Sequence, residues 1–339
     1  MKKTKVNKVA LRTQRKVFDL VGIDFSTTGT KVVRLKKTRG GDVSLIGMDI
    51  LPPVDLTTTK CSLSLPKQLT THYVNVVYSG TEAMARVLNA PLSTDEKMLS
   101  DKKLRESLHV SEEYRVSATI LKKGKPRQDS MFLVAAVPNS IITSVLSFFE
   151  IGSPAVASVE VAGVAFISAF LHAYGKKVKD KAVCIVEFGE STTYFAFLNK
   201  GMVLLVGKFG IGAATMRDKI SADLGLDEDL TQTIIVDRSI DVSSPITNVM
   251  MPILKQLSIS KDFVERYQTC EIEKLYISGD RDLLSCWTQE VAQFLQVDVV
   301  SWNPLENIRC EKGVIPKEFS DKISSFAVAI GAAIGGLEE

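Results

Sequence analysis

The sequence lacks any apolar run long enough to cross a bilayer. Its most apolar stretches, Val161–Tyr174 and Phe326–Gly336, stop well short of the roughly 20 residues a membrane helix needs. Histidine is scarce: His72, His109 and His172 are scattered singly, which argues against a histidine-based catalytic or metal centre. The five cysteines (Cys61, Cys184, Cys270, Cys286, Cys310) are an odd number with no C-x-x-C spacing. That argues against a disulfide framework and a zinc site alike, leaving reduced structural thiols. Acid is missing from the start of the chain, where Lys2, Lys3, Lys5, Lys8, Arg12, Arg15 and Lys16 all precede the first acid, Asp19. The other 35 basic and 39 acidic residues leave a net −4. Asp19 also interrupts Val17–Val21, so no secretory signal follows the basic residues and the chain is expected to stay in the cytosol. Residues 1–16 read as a basic, disordered leader, either solvated or touching lipid or nucleic-acid phosphate without specificity.

What remains is ordinary globular composition, 45% hydrophobic and 24% charged over 339 residues, enough for two domains. Phe18–Ile23 is a β-rich run ending in Asp24-Phe25-Ser26-Thr27-Thr28-Gly29-Thr30, after which Lys31–Leu35 resumes a strand pattern and Val43–Ile50 adds a third strand. Further strands are predicted at His72–Val77, Tyr114–Leu121, Met131–Val137 and Val156–Val161. Helices are predicted at Asp95–Leu108, Asn139–Glu150 and Ala162–Tyr174. Lys181–Val186 then begins the pattern again: it ends in Glu187-Phe188-Gly189-Glu190-Ser191-Thr192-Thr193 and returns as strands Tyr194–Leu198 and Met202–Gly207. Strand, acid, hydroxyl-rich turn and strand recur in one order, 163 positions apart from Asp24 to Glu187, which points to internal duplication. Helices at Ala213–Asp223, Ile246–Tyr267 and Leu283–Leu295, strands at Lys274–Ser278 and Val297–Val300, and a closing helix at Ile323–Gly335 complete the pattern.

Two such tips facing each other would form a phosphate clamp, with N–H groups and hydroxyls on phosphate and strand-end acids holding magnesium through water. Asp24 is the candidate magnesium anchor of the first tip, Ser26, Thr27 and Thr28 its phosphate donors, and Lys31 a charge partner. Glu187, Gly189, Ser191, Thr192 and Thr193 form the second tip. Ser278-Gly279-Asp280 follows a strand and opens a helix, where bare backbone can approach a nucleotide. The charged helix near Lys102, Lys103 and Arg105 and the turn Lys122–Arg127 read as solvated surface. Phe148, Phe149, Phe166 and Phe170 read as core, and Trp302-Asn303-Pro304 as a turn that buries its aromatic.

The run Val21–Val33, the Glu187–Thr193 loop, Gly210-Ile211-Gly212 before a helix, Ile277–Asp280, Trp302–Ile308 and Phe326–Gly331 together resemble the PilM family of type IV pilus assembly. FtsA is the related cell-division protein. Tyr78-Ser79-Gly80 with Ala85–Leu88 and Pro91 resembles the family's lead into an inserted subdomain, and Val134–Pro138 its exit. The resemblance runs from about Phe18 to Gly336. It implies an α/β, actin-like (ribonuclease H-like), two-lobed duplicated fold with a small inserted subdomain: residues 17–180 as the first lobe, the insertion at about 80–128, and 181–339 as the second. Each lobe is implied to rest on a five-stranded sheet, with helix 323–336 packing back on the first lobe.

The same resemblance implies ATP and Mg2+ between the lobes, with Asp24 and Glu187 as metal residues and Gly212, Gly279 and Asp280 among the nucleotide contacts. It implies a cytoplasmic scaffold, peripheral to the inner membrane. There it would dock the short cytoplasmic peptide of a bitopic PilN-like or GspL-like protein in a pilus or type II secretion platform, with no specific nucleic acid. Its peptide groove would lie between the insertion and the first lobe, with residues near Tyr78–Leu88 as candidates. Three positions depart from the family pattern: Ser26 and Asp280 stand where glycine is usual, and Glu187 where aspartate is. These fall on phosphate or nucleoside contacts and weaken the case for tight ATP binding, because misplacement of about 1 Å can cost roughly 10²-fold. An actin-fold ATPase or kinase using Asp24 and Glu187 with magnesium is the enzymatic alternative. An FtsA-like division protein is another, disfavoured by an ending, Gly335–Glu339, without an amphipathic membrane helix.

Overall fold

The computed structural model describes residues 17–56, 63–91, 99–125, 128–149 and 154–338. The basic leader, the start of the helix expected from Asp95, and the tip of the Lys122–Arg127 turn lie outside these residues. Strands β1 (Asp19–Asp24), β2 (Thr30–Lys37) and β3 (Val43–Leu51) form an antiparallel meander; β4 (Tyr73–Tyr78) and β8 (Ala155–Val161) extend it in parallel beyond β1. The second half repeats this plan. Here β9 (Ala182–Phe188), β10 (Thr193–Asn199) and β11 (Met202–Phe209) are the meander, and β12 (Ile272–Gly279) and β13 (Asp298–Ser301) the parallel extension. The two orders, β3-β2-β1-β4-β8 and β11-β10-β9-β12-β13, are the same.

Duplication explains why β1 and β9 read as continuous apolar runs. Both are central strands, buried on two faces, and such strands lose the polar alternation of half-exposed ones. Helices α3 (Ala162–Tyr174) and α8 (Ala327–Glu338) lie between the sheets and share one core with both of them. On its outer face the first sheet packs Val21 and Ile23 against α2 (Asn139–Ser147) and Phe148. The second sheet packs Cys184 and Val186 against α4 (Ala213–Leu224), α6 (Ser243–Gln268) and α7 (Arg281–Leu295).

Small residues set how close the lobes come. The backbone of α8 runs so near α3 that a Cβ on Gly331 would lie 1.8 Å from the Ala165 carbonyl oxygen. One on Gly22 of β1 would lie 2.0 Å from that of Ala329. An aromatic cluster adds to the joint: Phe170 on α3 meets Trp302 edge-on at 5.2 Å and Tyr276 on β12 at 5.1 Å, contacts worth about 0.5–1.5 kcal/mol each beyond burial. At the end of α8, Lys37 Nζ donates to the Leu337 carbonyl at 2.8 Å, placing a cation where the helix dipole favours one.

The inserted segment forms a third sheet, β5 (Met84–Ala90), β7 (Ser130–Pro138) and β6 (Tyr114–Lys122) in the order β5-β7-β6. Helix α1 (Asp101–Leu108) covers one face through Leu104 and Leu108. Lys208 of β11 donates to the carbonyls of Thr81 and Ala83, tying the approach to β5 onto the second lobe.

The first sheet has six strands, not five. After Trp302 the chain leaves the second sheet, and β14 (Ile308–Cys310) pairs in parallel with β3 at the first sheet's far edge. A three-residue strand with two exposed positions carries too little periodicity to be read. The sequence pattern marks neither strand β5 nor helix α5 (Glu228–Asp237), although Asp227 accepts from the Leu230 N–H at 2.8 Å as an N-cap. Among the described residues, no helix is long and apolar enough to cross a membrane.

Replacing Gly331 with alanine forces α8 away from α3. We expect a loss of at least about 2 kcal/mol of unfolding free energy, read by urea denaturation; the same change at Gly201, with nothing within 4 Å, isolates the packing effect because Gly201 carries only the backbone cost of its positive φ.

Candidate functional site

Equivalent topology places the ends of β1 and β9 across one crevice. Asp24 and Glu187 both reach it as buried carboxylates. Asp24 Oδ1 accepts from Ser79 Oγ at 2.8 Å. Burial raises its pKa, against the pull of Lys31 and Ser79. Glu187 accepts from Ser278 Oγ and is pushed up to about 7 by burial, with Ser278 and Lys31 opposing and Asp24 adding to the rise. Lys31 stands directly opposite Asp24 in the β1–β2 register, so both side chains share one face of the sheet.

The second tip holds a further acid. Glu190 pairs with Arg217 of α4, and both side chains are largely buried. Burial raises the Glu190 pKa, while Arg217 and Lys31 lower it and Asp280 adds to the rise. The loop before α4 is pressed onto this tip. Ala213 N–H donates to the Gly189 carbonyl at 3.0 Å and Ala214 N–H to the Glu190 carbonyl at 2.9 Å. A Cβ on Gly212 would come within 2.6 Å of both carbonyl oxygens.

Seven expected residues therefore line one cavity: Asp24, Ser26, Lys31, Glu187, Gly189, Ser191 and Thr192. The others do not. Thr27 and Thr28 are exposed on the first tip, where the Thr28 N–H folds back to Ser26 Oγ at 3.3 Å. Thr193 Oγ1 donates to the Ile211 carbonyl at 2.7 Å. Gly212 serves the α4 junction, and Gly279, with φ +134°, lies against the Phe188 carbonyl. Asp280 turns into its own helix, where Oδ1 accepts from the N–H groups of Asp282 at 3.0 Å and Leu283 at 3.2 Å and caps α7. The sequence pattern does not mark Ser79, Ser278 or Arg217 as side-chain partners of these acids. Each lies far in sequence from the acid it contacts, so only the Tyr78-Ser79-Gly80 and Ser278-Gly279 turns offered a signal.

The cavity is small, about 30 Å³, room for about two water molecules. That volume suits the buried, unpartnered hydroxyls of Thr192 and Tyr194 at its wall. The first N–H groups of α4 and α7, donors to which an anion could bind, are taken by carbonyls and by Asp280. Among the described residues no three His, Cys, Asp or Glu side chains are grouped to hold a metal. In this closed arrangement the small cavity and the engaged N-termini of α4 and α7 do not fit a magnesium-bound nucleoside triphosphate.

Two lobes of one topology, joined through buried helices and facing each other with acid-ended hairpins, define the actin-like ATPase fold. The chain belongs to the family of type IV pilus assembly protein PilM, whose model matches residues 110–336. A solved PilM–PilN type IV pilus biogenesis complex superposes with a TM-score of 0.77 at 18% identity, covering 96% of this chain and 100% of that one. MreB 5 of Spiroplasma citri bound to AMPPNP gives 0.48 at 10% identity, over 94% and 96%. A protein of actin-like ATPase fold from Bacteroides thetaiotaomicron gives 0.46 at 13%, over 85% and 92%. No curated protein sequence matches the chain.

The raised pKa of Glu187 has a definite sign. A folded value of about 7 against 4.5 means that the protonated carboxyl contributes stability below about pH 4.5, and that this contribution is lost as pH rises through about 7. Glu187→Gln should therefore raise the melting midpoint relative to wild type at pH 8, by about 1 kcal/mol or more of stability, and erase the advantage near pH 5; thermal melts across pH 5–8 read it.

Proposed function

We propose that this chain is a cytoplasmic scaffold of a type IV pilus assembly platform, held at the inner membrane by the short cytoplasmic peptide of a PilN-like, or in a secretion machine GspL-like, bitopic protein. The observation that carries the reading is a groove of about 290 Å³ between the inserted sheet and the first lobe. One wall is the face of the inserted sheet turned away from α1, with Ser117, Leu133, Ala135 and Val137; the other is β8 and α3, with Val159, Val161 and Val164. Strand β6 is an edge of the inserted sheet and β8 an edge of the six-stranded sheet. A groove flanked by two strand edges suits an extended peptide: unpaired backbone groups supply hydrogen bonds, and alternate side chains find apolar surface between them.

The candidates near Tyr78–Leu88 do not line this groove. Strand β5 lies on the opposite side of the inserted sheet, where it meets β11 and Lys208. The hydroxyls and apolar residues of the groove fit a peptide of mixed character, with Arg115 and Glu160 at its walls to orient it. Family membership supports the pilus role, and a binding role asks nothing of the crevice between the lobes. Hence no observation favours the phosphotransferase reading over it.

The test is capture by the N-terminal peptide of the bitopic membrane protein encoded beside this chain, measured by calorimetry. Ala135→Arg should weaken binding at least tenfold by filling the groove with a charged side chain, while Tyr267→Ser, on the exposed face of α6, should leave it unchanged. Equal affinity for wild type and Ala135→Arg would remove the groove from the proposal.

A further inference from the structure

The crevice between the lobes holds three carboxylates and two cations of its own. Arg217 is committed to Glu190. Lys31 lies on the wall of the same small cavity as Asp24, Glu187 and Glu190, and its cross-strand pairing with Asp24 keeps it there. Asp24 and Glu187 each keep one serine donor, Ser79 and Ser278. In an actin-like crevice, positive charge between two strand-end acids is expected to come from a metal ion. Here Lys31 lines the same space of about 30 Å³, and its charge acts on Asp24, Glu187 and Glu190 together without a direct ion pair to any one of them.

We propose that Lys31 is a resident cation that takes the place of the metal, so that the two lobes are held in the closed arrangement without Mg2+ or nucleotide. Three neighbouring groups are already engaged. Gly189 and Glu190 carbonyls cap α4, the Asp280 carboxylate caps α7, and Lys208 bridges from the second lobe to the carbonyls before β5. Each uses up a donor or an approach that a nucleotide would need. Lys31 then has a structural duty, since removing it leaves buried like charges facing one another.

The experiment uses the full chain and two arms. In the first, melting midpoints of wild type are compared in EDTA, in MgCl2 and in Mg-ATP at millimolar concentration. They should agree within about 1 °C, because a ligand that does not bind the folded state does not shift its stability. A rise of several degrees in Mg-ATP, or a saturable calorimetric isotherm with Mg-ATP, overturns the proposal. In the second arm, Lys31→Met should lower the midpoint in EDTA by about 5 °C, and the double variant Lys31→Met with Glu187→Gln should recover at least half of the loss. A Lys31→Met midpoint equal to wild type, or no recovery in the double variant, overturns it as well. Should Lys31→Met fail to fold, the recovery of soluble, cooperative melting in the double variant supports the proposal and its continued absence counts against it; the wild-type arm decides in either case.

Discussion

The close approach of α3 and α8 between the two sheets is the constraint on which the remaining structure depends. Glycine and alanine let the α8 backbone lie against β1 on one side and α3 on the other, where a single Cβ at Gly331 or Gly22 would overlap a carbonyl oxygen. Packing at interior density transmits position well, because neither helix can shift without opening a void or a clash. The ends of β1 and β9 are therefore held opposite each other. The crevice chemistry, including which carboxylates meet and how little space they leave, follows from that spacing.

Closeness also explains the electrostatics. Asp24, Glu187 and Glu190 come from two hairpin tips but share one poorly hydrated space, so burial is the first cause of every upward pKa shift there. Cations from β2 and α4 and serine hydroxyls from distant turns answer it. The departures at Ser26, Glu187 and Asp280 then read as parts of one arrangement. Asp280 serves α7, Ser26 serves its own turn, and the longer side chain of Glu187 reaches Ser278 on the neighbouring strand.

The groove on the other side of the first lobe is a separate device. It forms because the inserted sheet turns one face to α1 and leaves the other toward β8, and because two strand edges there have no neighbouring strand among the described residues. Exposed edges are usually blunted. Two of them framing a groove of mixed character are the feature on which the proposed peptide docking rests.

Much was legible in the residues themselves. Alternation and apolar runs locate the two meanders, Ala162–Tyr174 is a helix with the bounds its apolar run predicts, Phe148, Phe149, Phe166 and Phe170 are buried as their spacing suggests, and Trp302 is buried as its turn suggests. These are local signals, set by side-chain period and by the turn chemistry of acids, hydroxyls and glycine. Tertiary structure alone decided that Ile308–Cys310 crosses to the first sheet, that Ser79, Ser278 and Arg217 meet acids 55, 91 and 27 residues away, and that β5 faces the second lobe while β8 faces the groove. The reason is physical: periodicity reports which face of an element is buried, whereas the identity of what lies against that face depends on contacts between segments that have no common local pattern.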